Sequence, residues 1–438
     1  MTEILVVTIH SKIGPIMPKI SSTYGISTIV NHCQEGDNPH HAHVSPIFQT
    51  STFGFPDVAT GAAIFAGEQP GYIYSRAGNP NVNQLAMKYA YLEGLDLIRQ
   101  NPDVAPDELV AGRVMSSGMA AISAAVMGKL TGGDKAIVQR ELYGNAYRFF
   151  NEVAPRIGID VVWVDSLAAD VWEATFDAHP DASLAYVETP ANPTLSIIDL
   201  KAIADIAHAH DAWAMADNTF ATPYHQRPLT LGYDVVAHST TKYLTGHGVI
   251  IGGAVISRHV DDYMNARQDG VGLLARVMGP AVSPFDAWLA NLGLKTFEIR
   301  MQRHAENAMI VARWLEDHPQ VAKVYYPGLE SHPGHEIAKK QMFNGYGGMI
   351  SFELKDGFDA GVAVMNHVQL ATLAVSLGNV DTLIEHPASM THAGVPAAER
   401  RKVGITDGLV RLSVGIENVE DLVADLDRAM SFIPSRSS

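Results

Sequence analysis

The stretch "DVVAHSTTKYLTGHGVIIGGAVISR", residues 234–258, sets a single lysine, Lys242, between an apolar strand-like run and a glycine-rich one. Ser239 lies three residues before it and Thr241 one before it, so a turn here can aim two hydroxyls at an anion beside the amine. A lysine taken out of water and set near other cations gives up its proton more readily and becomes a nucleophile toward an aldehyde. Upstream, "AWAMADNTFATP" runs an apolar strand into Asp217 and Asn218. If both runs are parallel strands, Asp217 and Lys242 meet at the carboxyl-terminal edge of the sheet, the side on which α/β folds bind ligands. Such a pair serves equally well as a buried salt bridge or as a catalytic pair.

An anion site is available nearby. "RVMSSGMAAISAAVMGKL" reads as a strand end, a Ser-Ser-Gly turn and a helix of small residues whose first amides are unpaired. Gly118 allows close backbone approach, and Ser116 and Ser117 add hydroxyl donors. Taken alone, such a turn is most often only a helix cap, and it is neither a Walker loop nor a GxGxxG fingerprint. Together with the carboxylate and the lysine, however, it meets the needs of pyridoxal 5'-phosphate (PLP): a phosphate cradle, a partner for the pyridinium and an amine for the aldehyde.

The elements that would position these groups follow from patterning. Strand-like runs occur at "DKAIVQR", "IDVVWVD", "LAYVETP", "AWAMADN", "DVVAHST" and "GVIIGGAVIS", several separated by segments of helical length. In "DLKAIADIAHAHD", Leu200, Ile203, Ile206 and Ala207 share one helical face. Apolar strands alternating with helices predict a mostly parallel sheet covered on both faces. After "GPAVSPFDAWL" the rhythm changes to a long helical stretch and then to shorter strands and helices, ending in a helix that starts at Asn418. The expected organisation is an extended N-terminal arm over residues 1–70, a cofactor-binding domain over 71–285 and a smaller α/β C-terminal domain over 286–438. Residues 95–113 read as a surface loop with a short helix at "APDELV".

The totals narrow the class. A chain of 438 residues with 47% hydrophobic and 18% charged residues can bury a sizeable core. Its net charge of −16, with no basic stripe, argues against a nucleic-acid or anionic-membrane partner and for a small molecule. The single cysteine, Cys33, rules out an intrachain disulfide and fits a reducing compartment. The start, "MTEILVVTIHSKIGPIM", is too broken for a secretory signal, and the apolar run from Arg113 to Lys129 is too short and serine-rich for a span, so a cytoplasmic location is expected. His32, Cys33, His40, His41 and His43 match no zinc spacing, and no metal is expected; "SHPGHEIAKK" reads as a solvated helix start.

The motifs "YSRAGNP", "SSGMAAI", "ELYG", "ETPANPT", "DNTFATP", "HSTTKYLTGHG", "SPFDAWL", "HPASMTH" and "LVRLSVGIE" occur in this order between about residue 24 and 432. In them the sequence resembles the Cys/Met-metabolism family of PLP-dependent enzymes: cystathionine γ-synthase, the cystathionine lyases, methionine γ-lyase and O-acetylhomoserine sulfhydrylase. The resemblance implies the aspartate aminotransferase-like fold of PLP-dependent transferases, fold type I. It also implies a homo-oligomer, a tetramer built from dimers that share active sites. It makes Lys242 the lysine that links to the cofactor and Asp217 the partner of the pyridine nitrogen. Gly118, Met119, Ser239 and Thr241 hold the phosphate, while Tyr74 and Arg76 reach it from a neighbouring subunit. Tyr143 stacks on the ring and Asn192 faces its phenolic oxygen. Arg411 grips the substrate carboxylate as a bidentate fork, helped by Ser376. On this reading Lys242, once released, is the base for the Cα proton, and Tyr143, with a cation such as Arg76 close by, protonates a leaving thiolate.

Few positions decide the reaction within the family. Val375 is apolar where cystathionine-type enzymes tend to carry glutamate, and Ile73 is apolar where some cystathionine lyases are acidic. An apolar pocket suits a methyl thioether and leaves the distal ammonium of cystathionine unpaired. Asn145 stands where methionine γ-lyases usually have cysteine, and Arg148 resembles the cystathionine enzymes, whereas Ser376 departs from the sulfhydrylases. The expected activity is γ-elimination from L-methionine or a related thioether amino acid, giving 2-oxobutanoate, ammonia and a thiol. The alternatives are cystathionine γ-lyase or γ-synthase activity, O-acetylhomoserine sulfhydrylase activity, or a non-catalytic PLP-binding protein.

Overall fold

The computed structural model describes residues 21–434 apart from 22, 36, 37, 39, 267, 392, 394, 395 and 403. The N-terminal stretch read above for a signal, and His392 at the end of "HPASMTH", lie outside the described residues. The apolar runs become strands β1 (Ala111–Met115), β2 (Lys135–Gln139), β3 (Asp160–Val164), β4 (Ala182–Glu188), β5 (Trp213–Asp217), β6 (Val235–His238) and β7 (Gly253–Ser257). They form one sheet in the order β1-β7-β6-β5-β4-β2-β3, parallel except that β7 runs antiparallel to both of its neighbours.

Both faces are covered, as near-continuous apolar strands require. On one face the helix Gly118–Lys129 packs against the sheet through Ala121, Ile122, Ala125 and Val126. On the other, the helix Leu200–Ala209 buries Leu200, Ile203, Ala204 and Ala207, while Ile206 is only partly buried. The Asp199 carboxylate accepts the Ala202 amide at 3.0 Å and so satisfies one of the open donors at that helix start. Each fully buried leucine or isoleucine contributes about 1.5–3 kcal/mol, which fixes the helix face far more strongly than propensity does.

The C-terminal half builds a second sheet from β8 (Val321–Tyr325), β9 (Met349–Leu354), β10 (Thr372–Leu373), β11 (Leu383–Glu385) and β12 (Leu409–Ser413). The order is β10-β11-β12-β9-β8, antiparallel except for β10 with β11. Helices Phe297–Asp317 and Val419–Met430 pack on it. Asn418 does precede the last helix, but its side chain makes no capping bond; Leu422, Leu426 and Met430 anchor that helix instead.

Three local expectations change. Residues 95–113 are not a continuous loop. Leu95–Gln100 is a helix with Leu95 and Ile98 in the core, Pro106–Leu109 is the expected short helix, and residue 111 begins β1. Arg227 grips Asp96 with two bonds, 2.6 and 3.1 Å, which ties this segment to the main sheet domain. Second, part of the N-terminal segment is packed. The helix Ile26–His32 contributes Ile26, Ile29 and Val30 to the core, and Cys33 is buried beside it. Third, the helix His335–Gln341 is solvated at its start only in part, because Glu336 is exposed but His332 is buried and His335 bonds to the Pro327 carbonyl at 2.9 Å. Among the described residues no cluster of His, Cys, Asp or Glu could hold a metal ion, and no helix is long and apolar enough to cross a membrane.

The N-terminal segment is held by a fully buried lysine. Lys88 Nζ donates to Glu35 Oε1 at 2.6 Å, Asn291 Oδ1 at 2.7 Å and the Val30 carbonyl at 2.7 Å, using all three of its protons. Burial lowers the Lys88 pKa, and Glu35 partly restores it. Removing the carboxylate strands a buried charge, a change that costs about 3–5 kcal/mol. Glu35→Ala is therefore expected to shift chemical denaturation by an amount in that range, with partial recovery in a Lys88→Met/Glu35→Leu double variant. A shift below about 1 kcal/mol, the range of an exposed pair, would contradict the role given to this interaction.

Candidate active site

The topology brings the chemistry-bearing residues to one edge. Asp217 ends β5 and Glu188 ends β4, and the two are register partners on adjacent parallel strands, so both side chains leave the sheet on the same face. Lys242 follows β6 in a turn closed by its own amide bonding to the Ser239 carbonyl at 3.2 Å and by Gly246 N–H bonding to the Lys242 carbonyl at 2.8 Å. Its Nζ donates to Ser376 Oγ at 2.7 Å. Ser376, a non-glycine residue at φ 97°, hands its carbonyl to Arg411 Nη2 at 2.7 Å. Arg411 projects from β12, where Nη1 also reaches Asn192 Oδ1 at 3.0 Å and Glu385 Oε1 at 3.1 Å. One chain of bonds thus joins the two sheets.

The charges in this cleft are poorly hydrated. Burial, then the Arg411 charge, brings the Lys242 amine down to about 8, with Glu385 acting the other way. Burial likewise lowers Arg411, opposed by Glu385. Asp217 is raised by burial, against bonds from the Thr219 amide and hydroxyl at 2.9 and 2.6 Å. Glu188 is pushed up to about 8 by burial and then by Asp217, although its oxygens accept the Tyr143 amide at 2.8 Å and the Asn192 amide at 3.0 Å. Behind Asp217, the buried His238 and Asn218 share Glu93 Oε1 at 2.6 and 2.7 Å.

The phosphate side of the site is equally specific in shape. Ser117 caps the helix Gly118–Lys129 by accepting the Ala120 amide at 3.0 Å, leaving the Gly118 and Met119 amides at its open end. A β-carbon on Gly118 would lie 2.7 Å from Ser239 Cβ, so only glycine lets the helix start approach the turn before Lys242. Gly253 plays the same part from β7, since a β-carbon there would meet the Ser117 carbonyl at 2.1 Å. Thr241 Oγ1 is held by the Gly252 backbone, accepting its amide at 3.0 Å, while the Ser239 amide donates to the Thr219 hydroxyl oxygen at 2.8 Å.

These features fit PLP on three counts. The glycine cradle gives a phosphate room beside open amides. Asp217 uses only Oδ1 toward Thr219, leaving Oδ2 for a pyridinium N–H. Asn192 uses Oδ1 toward Arg411, so its Nδ2 is left to donate to a phenolic oxygen.

Not every expected residue joins the cluster. Tyr143 does so through its amide, and its side chain is exposed, with Asn145 Nδ2 donating to its hydroxyl at 3.0 Å. Tyr74 and Arg76 make no bond to the Lys242 cluster among the described residues. Arg76 lies 5.6 Å from the Tyr74 ring centroid and bonds to the Arg276 carbonyl. Arg148 pairs with Glu152 through two 3.1 Å bonds. Reading the sequence missed Glu188, Glu385 and Thr219. The available signal for Glu188 was a lone acid closing a fully buried strand, one position before "TPANP".

The chain is similar to known proteins over nearly its whole length. The profile described as Cys/Met metabolism PLP-dependent enzyme matches residues 27–431. An L-methionine gamma-lyase of Fusobacterium nucleatum subsp. nucleatum is 46% identical over 411 residues, 93% of this chain and 98% of the relative. A cystathionine beta-lyase of Coxiella burnetii is 43% identical, covering 92% of this chain and 97% of that protein. The crystal structure of cystathionine gamma synthase from Xanthomonas oryzae pv. oryzae in complex with cystathionine superposes with a TM-score of 0.84 at 37% identity, covering 94% of this chain and 98% of that one. A cradle, an acid and a lysine on one sheet edge, matched across nearly the whole chain, place this protein in the family of Cys/Met metabolism PLP-dependent enzymes.

Proposed function

We propose that the chain catalyses γ-elimination from L-methionine or a related thioether amino acid, consuming one water and releasing 2-oxobutanoate, ammonia and a thiol. The observation that carries an amino-acid substrate is at Arg411. Its Nε is buried without a partner among the described residues, while the rest of the guanidinium is fixed by Asn192, Glu385 and Ser376. A buried, unpaired donor on a rigid cation is the complement of a carboxylate. A carboxylate there brings the substrate Cα toward Lys242, because Ser376 bonds to both residues.

When bound, PLP supplies the electron sink that acidifies the Cα and Cβ protons. Lys242 is the amine that would hold its aldehyde, and as a free amine its Nζ would move those protons as general base. Asp217 holds the ring nitrogen proton, Asn192 donates toward the phenolic oxygen, and Gly118, Met119, Ser239 and Thr241 bind the phosphate. Tyr143 covers the ring and delivers a proton to the departing sulfur at Cγ. Tyr74 and Arg76 complete the phosphate site of a neighbouring subunit in a homotetramer of active-site-sharing dimers. The methyl thioether is supported by Val375, 56% exposed beside Ser376, which offers an apolar surface and no partner for a distal ammonium. The methionine gamma-lyase named among the relatives points the same way. Cystathionine cleavage is the second reading, favoured by Arg148 and by the cystathionine beta-lyase relative.

Offered L-methionine, L-cystathionine, and O-acetylhomoserine with sulfide in parallel, the holoenzyme is expected to release 2-oxobutanoate and thiol fastest from methionine. A higher kcat/KM on cystathionine would overturn the choice of substrate. A second outcome concerns pH. Because the Lys242 amine must be neutral to attack an aldehyde, capture of PLP by apoprotein should accelerate as pH rises and level off above about 8. Arg411→Met removes a neighbouring cation and should move that plateau to higher pH. A rate independent of pH between 6 and 9, buffer for buffer, would contradict the role of a free Lys242 amine.

A further inference from the structure

A buried acid at the sheet edge that the mechanism above leaves unused is Glu188. Its two oxygens are divided: Oε2 accepts the backbone amide of Tyr143 at 2.8 Å, and Oε1 accepts that of Asn192 at 3.0 Å. These two residues come from different loops, one after β2 and one after β4. They are the pair expected on the face and at the phenolic edge of the cofactor ring. Among the described residues the Tyr143 amide has no other acceptor, and the helix Gly144–Arg148 that follows has no side-chain cap of its own. Glu188 is itself fixed: Gln139 on the neighbouring strand bonds to its backbone on both sides, donating to the carbonyl at 3.1 Å and accepting the amide at 3.1 Å.

We propose that Glu188 is a positioning residue, a two-armed clamp that sets the Tyr143 loop and the Asn192 loop at a fixed spacing around the cofactor. The inference rests on the reading that PLP occupies this cleft. It follows from acceptor chemistry. Both Glu188 oxygens accept an amide, one each, which a side chain of this length with a single acceptor oxygen cannot reproduce. Glutamine keeps the shape but presents an NH2 to one of the two amides, so one loop loses its hold. Alanine releases both. Because the Asn192 side chain also bonds to Arg411, a slack Asn192 loop loosens the Arg411 fork as well. The effect therefore reaches substrate affinity as well as the ring.

The test compares wild type, Glu188→Gln, Glu188→Ala and Glu188→Asp, each purified as apoprotein and reconstituted with PLP. Five quantities are read: apoprotein Tm, PLP Kd, the induced circular dichroism of the bound cofactor's visible band, and kcat and KM for the preferred substrate. Induced dichroism reports how asymmetrically the ring is held, which a stability change alone does not alter. The expected result is an apoprotein Tm for Glu188→Gln close to wild type. Its dichroic band should fall to about half or less, and kcat/KM should fall at least tenfold with both kcat and KM affected. Glu188→Asp, which keeps both acceptor oxygens, should recover more of the dichroism than Glu188→Gln. A Glu188→Gln protein with wild-type dichroism and kinetics would overturn the clamp, as would a Glu188→Asp protein no better than Glu188→Gln. If Glu188→Ala fails to fold, the glutamine and aspartate variants still decide. A wild-type protein that shows no visible band with PLP would instead remove the cofactor reading on which the clamp rests.

Discussion

The site depends on a short path of hydrogen bonds that crosses between the two sheets: Lys242 to Ser376, Ser376 to Arg411, and Arg411 to Asn192. Lys242 and Asn192 follow strands at the seven-stranded sheet's carboxyl edge, Arg411 lies on β12 of the five-stranded sheet, and Ser376 lies in the connection between β10 and β11. Each member holds the next, so the relative placement of the two sheets sets the distance between the Lys242 amine and the Arg411 guanidinium. The backbone of Ser376 in the left-handed region is the visible cost of aiming its hydroxyl at one cation and its carbonyl at the other.

Around that path the protein gathers two cations and three acids, Lys242 and Arg411 with Asp217, Glu188 and Glu385, where little water can reach them. Burial works against every charged form: the amine and guanidinium are lowered, and the carboxyls of Asp217, Glu188 and Glu385 are raised. Such a cluster is costly to fold and useful to chemistry, because bringing in a pyridinium and a substrate carboxylate supplies the counter-charges it lacks. Cofactor binding is then expected to stabilise the fold by mass action. The rigid parts lie behind the acids, where Glu93, His238 and Asn218 form a buried polar network under the sheet edge.

Much of this was legible from residue types. Apolar runs of strand length marked β2 through β7, and the glycine beside a serine-rich helix start marked the cradle, because those signals are local. Lys242 and Asp217 stood out because each closes an apolar run. Register was not legible: no local pattern says that Glu188 lies level with Asp217, since that depends on how β4 and β5 align. Glu385 was invisible for the same reason, its role arising only where β11 meets β12 across from Arg411. The helix Leu95–Gln100 was read as loop because it spans six residues and buries only Leu95 and Ile98, too few to show a period. Tyr74 and Arg76 are assigned to the site by the resemblance alone, and among the described residues neither bonds to the Lys242 cluster.

The central claim is that Lys242 takes the PLP aldehyde in this cleft. The direct measurement is borohydride reduction of the holoenzyme followed by proteolysis and mass spectrometry of the peptides. The account predicts that the visible band is bleached and that one cofactor-sized mass increment is fixed on the peptide carrying Lys242, with none in a Lys242→Ala protein. A fixed cofactor on any other lysine, or the same reducible adduct in Lys242→Ala, would contradict it.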